Sequence, residues 1–102
     1  MSDKNLICQA IRELHLLSFF YDNAVRVVEP HQLGINKAQN VALSAYWVSG
    51  YSESGDTANR WREFIIEEMS NARILDETFS GPRPGYKKAP NGMFPGKAIC
   101  EL

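Results

Sequence analysis

Apolar residues open the chain at helical spacing: Leu6, Ile7, Ala10, Ile11 and Leu14 form one stripe, and Lys4, Gln9, Arg12 and Glu13 take the other side. The spacing predicts a helix over 3–14, with Ser2 or Asp3 accepting from the free amides of its first turn. The period then shortens. Leu16 to Tyr21 is rich in aromatics and halted by Asp22-Asn23, so it reads as a strand entering a tight turn. Val25 to Glu29 is the returning strand, Pro30 marks an edge or bend because it has no amide to give a ladder, and Gln32 to Ile35 continues the sheet. Beyond a polar turn at 36–40, Val41 to Tyr51 is the longest strand, with Val41, Leu43, Ala45 and Trp47 on one face and Ala42, Ser44, Tyr46 and Val48 on the other. Residues 52–59 lack apolar periodicity and form a loop. Trp61 to Ile66 is a further strand, 67–71 a polar turn or single helical turn, and 72–79 a closing element anchored by Ile74, Leu75 and Phe79. One helix followed by four or five short strands predicts a mainly β (α+β) chain whose antiparallel sheet curls into a small, partly open barrel.

The composition shifts at Ser80. Four of the five prolines and four of the seven glycines lie beyond it, which excludes a helix or a central strand there. Residues 1–79 therefore read as the domain. Residues 80–102 read as an extended Pro/Gly-rich strap pinned by Tyr86 and Phe94, with 97–102 adding an edge strand. Charge divides at the same place. The first part carries seven Lys/Arg against eleven Asp/Glu, while the strap carries Arg83, Lys87, Lys88 and Lys97 against Glu101. An acidic body with a short basic tail predicts no tight duplex DNA binding. No apolar run approaches the roughly 18 residues a membrane span needs, so no membrane partner is expected. Met1-Ser2-Asp3-Lys4 leads into no secretory pattern. The expectation is a cytoplasmic protein with Cys8 and Cys100 reduced, Cys8 serving as a small apolar residue beside the helix core; a Cys8–Cys100 disulfide is the alternative.

The motifs that would carry catalysis are incomplete in this chain. Gly92 to Ala98 resembles a phosphate loop but is one residue short between its glycines and has Ala98 where a magnesium-binding hydroxyl belongs. Gly50-Tyr51-Ser52-Glu53-Ser54 lacks the second glycine of a nucleophile elbow. His15, expected to meet the last carbonyls of the helix, and His31 are the only candidate bases. No ligand spacing indicates a metal, no cofactor is implied, and the chain reads as a non-enzyme. What remains is Arg60-Trp61-Arg62 at the entry to a strand. Arginine binds phosphate or carboxylate with two prongs, and Trp61 and Tyr46 offer stacking faces, so Arg60, Trp61, Arg62 and Tyr46 are the candidate ligand-binding residues. The plainer alternative is a solvent-facing strand edge with Trp61 packed in the core.

The order of these pieces resembles a WYL domain, as a short stand-alone member. An apolar helix precedes an aromatic strand (Phe19-Phe20-Tyr21), then come a Val28-Glu29-Pro30 step, an Arg62-Glu63-Phe64 strand and a closing segment from Ile74-Leu75 to Phe79, together covering about residues 6–79. The resemblance implies an SH3-like or Sm-like barrel with a packed helix, and a regulatory or ligand-sensing module for an anionic ligand. The tripeptide that names the family falls on Val41-Ala42-Leu43, and a basic position of the family falls on Glu68, whereas Arg62 is retained. Two other functions are compatible with the residues. One is an assembly protein that forms a homodimer with open strand edges. The other is a weak single-stranded nucleic-acid binder using Trp61, Tyr46 and Tyr86 as stacking faces.

Overall fold

The predicted apolar stripe becomes α1 (Asp3–Glu13), whose Ile7, Ala10 and Ile11 are fully buried. Leu14 ends it by turning left-handed (φ 58°), and its carbonyl is taken by the amide of Phe79 at 2.9 Å. The chain is described from a computed structural model, which defines residues 3–50, 60–87, 96 and 98–102. The predicted loop at 52–59 and the anchor Phe94 lie outside these residues.

β1 (His15–Tyr21) and β2 (Ala24–Ile35) form a hairpin with Tyr21 opposite Ala24. Its two loop residues, Asp22 and Asn23, have φ of 51° and 62°. Positive φ at both positions matches the right-handed twist of paired strands, and Asp and Asn tolerate it better than other side chains. β2 does not stop at Pro30. It runs on for twelve residues because His31 is bulged out: Pro30 faces Ala45, Gln32 faces Ser44, and no partner is opposite His31. The bulge accommodates the missing proline amide and keeps Val28 and Leu33, five positions apart, on the same buried face.

β3 (Val41–Gly50) pairs with β2 and with β4 (Arg60–Ile65). A 3-10 turn (Ile66–Glu68) then leads to β5 (Ser70–Thr78), which pairs with β1. The order is β4-β3-β2-β1-β5, antiparallel throughout, and the sheet does not close. Beside β1, the free half of β2 takes β6 (Cys100–Glu101), so the edge strand predicted for the end of the strap is present. Helix α1 covers the concave face over a core of Leu17, Phe19, Tyr21, Val28, Leu33, Leu43, Ala45, Trp47 and Phe64.

Cys8 and Cys100 are not separate thiols. α1 and β6 lie side by side, the Cα atoms of the two cysteines are 5.8 Å apart and the sulfurs are bonded. This corrects the expectation of reduced cysteines. Two residues 92 apart in sequence are neighbours only because β6 returns to β2. No helix among the described residues is long and apolar enough to cross a membrane.

Candidate functional site

β4 carries the predicted ligand-binding run, and strand alternation sends its residues to opposite faces. Trp61 points to the convex face, where it meets its cross-strand neighbour Tyr46 edge-on at 5.8 Å. Arg62 points to the concave face. The fold therefore brings Trp61 and Tyr46 together and sets Arg62 apart from them. The backbone of Arg60 pairs with Trp47, and its side chain lies outside the described set. Trp61 is half-buried, and what covers it is the strap rather than the core.

On the concave side the Arg62 guanidinium lies over three rings: Phe64 at 5.4 Å, Trp47 at 5.6 Å and Tyr21 at 6.0 Å. Such a cation is held by ring quadrupoles rather than by a strong counter-ion. Its carboxylate contact, Asp22, is 3.4 Å away and well exposed. Arg26, absent from the candidates that residue type suggests, is buried against the same indole at 4.9 Å and donates from Nε to the carbonyl of Tyr21 at 3.2 Å. Its signal is parity: it stands between Ala24 and Val28, at an inward position of β2. The Tyr21 hydroxyl accepts from the amide of Ile65 at 3.0 Å. Burial pushes that phenol up, with Glu68 and Asp22 adding to the rise and Arg62 opposing it. Glu68 and Arg62 thus act on the same group.

The convex face is organised by His31. Its Nε2 accepts from the backbone amide of Arg83 at 3.1 Å. Nδ1 must then carry the proton, which it donates to the carbonyl of Glu29 at 2.7 Å. Around the ring stand Trp61 at 4.7 Å, Tyr86 at 5.3 Å and Phe79 at 5.5 Å. Burial lowers the imidazole pKa, and the nearby Arg83 adds to that, against the pull of Glu29. The folded state therefore binds this proton less readily than the unfolded chain, whose histidine titrates near 6.5. Stability from the neutral ring is present above that value and is lost as the pH falls below it. Thermal unfolding should shift to lower temperature from about pH 7 to about pH 5, and His31→Gln should flatten that dependence; a wild-type midpoint unchanged across the range contradicts it.

The strap is held over this face. Arg83 grips Glu29 with two hydrogen bonds, Nε to Oε1 at 2.7 Å and Nη2 to Oε2 at 2.9 Å, and lies over the Tyr46 ring at 4.4 Å. The bond to Glu29 pushes the guanidinium pKa further up. The Trp61 indole donates to the carbonyl of Pro84 at 3.0 Å, and Tyr86 stacks on Trp61 at 6.3 Å while its hydroxyl donates to the carbonyl of Leu102 at 3.2 Å. Burial, then Glu101, pushes the Tyr86 phenol up to about 12. Tyr86 is the anchor predicted for the strap. His15 departs from expectation: its Nδ1 meets the carbonyl of Leu75 on β5 at 2.7 Å, not the end of α1, because it already belongs to β1. Among the described residues no three His, Cys, Asp or Glu side chains gather as metal ligands.

No family model, curated protein or solved structure matches the chain.

Proposed function

We propose that this chain is a non-enzymatic regulatory module of WYL-like type, with an SH3-like or Sm-like barrel, which binds an anionic ligand at Arg62. The barrel reading is supported by a helix ahead of five strands in the order β4-β3-β2-β1-β5 and by the 3-10 turn between β4 and β5. The ligand reading is carried by one observation: two guanidinium groups, Arg26 and Arg62, flank the single indole of Trp47. Arg62 is oriented by aromatic rings, and among the described residues its carboxylate partner is Asp22, in a long, exposed contact that contributes little, so a phosphate or carboxylate displaces Asp22 at small cost.

Fluorescence anisotropy of a labelled single-stranded oligonucleotide tests this, with inorganic phosphate as competitor. Arg62→Ala should weaken binding about tenfold, the scale of one lost hydrogen bond between charged groups. Glu68→Arg should strengthen it, because Glu68 opposes Arg62 at Tyr21. Duplex DNA should not bind at physiological salt. Tight, salt-resistant binding by the wild type sinks the charge argument, and unchanged binding in both variants places the site elsewhere. A second reading, homodimerisation through strand edges, is favoured by β5, whose outer edge pairs with no strand among the described residues and which borders the exposed Phe20. A monomeric mass at high concentration argues against it.

A further inference from the structure

We propose that the convex face of β2, β3 and β4 is a peptide-recognition site for an Arg-Pro-Gly-aromatic turn presented by a partner protein, and that the strap occupies this site in cis. The occupant is defined by its contacts. The amide of Tyr86 donates to the carbonyl of Arg83 at 3.2 Å, closing a four-residue turn with Pro84 second and Gly85, at φ 93°, third. Proline followed by a glycine of positive φ is the sequence of a type II turn. Each residue of the turn is read separately. The Arg83 side chain is bound by Glu29 and Tyr46, its amide by His31, the Pro84 carbonyl by Trp61, and the Tyr86 ring by Trp61. Gly85 is read by exclusion: a Cβ there would lie 3.3 Å from Nε1 of Trp61, and its φ is one that other residues rarely adopt.

The turn sits on the sheet as a ligand sits on a receptor. Pro84 and Gly85 are exposed, and the groups that bind Arg83, Pro84 and the Tyr86 ring all belong to the sheet, while the Tyr86 hydroxyl reaches Leu102 just beyond β6. With the turn seated, the Glu29 carboxylate is only 9% exposed; without it, the face presents that carboxylate, an imidazole acceptor and an indole donor, set among aromatic walls. These fixed groups of mixed polarity are complementary to one peptide chemistry, with arginine supplying the two-pronged partner. Because the strap is tethered on both sides, by β5 and by β6, its effective concentration is high and an external peptide competes poorly until the strap is weakened.

The test uses the full chain and a labelled peptide spanning residues 81–87, read by fluorescence anisotropy. Wild type should bind it weakly. The R83A/G85V variant, which disables the cis turn and leaves the sheet untouched, should bind it at least tenfold more tightly. Adding Glu29→Gln to that variant should cost at least tenfold, as should replacing the peptide's arginine with alanine. Equal affinity in wild type and R83A/G85V, or binding indifferent to Glu29, overturns the proposal. If circular dichroism shows R83A/G85V unfolded, titration of the wild type to millimolar peptide decides. Movement of the Trp61 indole N–H resonance, assigned with Trp61→Phe, supports the site, and its constancy overturns it.

Discussion

Replacing Cys8 and Cys100 together by serine should lower the stability of the folded chain by about 4 kcal/mol. The cross-link joins positions 92 apart, and closing a loop of that length restricts the unfolded ensemble by roughly this amount. In a domain of this size the midpoint of thermal unfolding should fall by roughly 15–30 °C. The folded state also loses a local restraint. β6 is two residues long and is held to β2 by a short ladder and to α1 by the sulfurs, so its amides should exchange faster in the variant. Melts with and without reductant check the effect. A thiol count in denaturant should give none before reduction and two after it, and free thiols with superimposable melts would refute the prediction.

Phe64→Ala should cost about 4 kcal/mol, the usual scale for deleting a buried ring. Phe64 is fully buried and meets Phe19 at 4.9 Å and Tyr21 at 5.1 Å, both edge-on. It joins β4, an outer strand, to β1 across the concave face, so no single neighbour can collapse into the space. Urea denaturation should show a lower midpoint with an unchanged slope. The same ring supports Arg62 from 5.4 Å, so oligonucleotide affinity should fall even where the variant is fully folded. A loss below about 1 kcal/mol would mean that the three rings repack.

Local patterns in the chain account for the frame of this fold. The stripe at Leu6, Ile7, Ala10 and Ile11 requires only helical spacing, and Asp22-Asn23 requires only the backbone tolerance of two residues. The pattern of β2 divides at Pro30 because a missing amide is a local fact, whereas the bulge that accommodates it depends on the partner strand. The site is less legible. Trp61 and Tyr46 stand out by residue type and do meet, but Trp61 is satisfied by a carbonyl 23 positions later, in a segment whose composition indicates only irregularity. Arg26 is readable as an inward arginine by parity alone, yet its burial depends on Trp47 from another strand. The cysteine pair carries no spacing signal, because contact across 92 residues is a product of topology.

The bulge in β2 also separates two roles that one strand usually fulfils together. Remove His31 from the chain, and Pro30 and Gln32 become consecutive opposite Ala45 and Ser44, so the ladder with β3 runs from Val28 to Ile35 without a slip and Val28 and Leu33 still share a face. The shorter strand would serve the β2–β3 ladder and the core equally well. What it would lack is the ring that holds the strap, with its two directed nitrogens. The length of β2 at this point is therefore set by the convex surface, and a chain that lost the strap could lose this residue too while keeping the β2–β3 ladder intact.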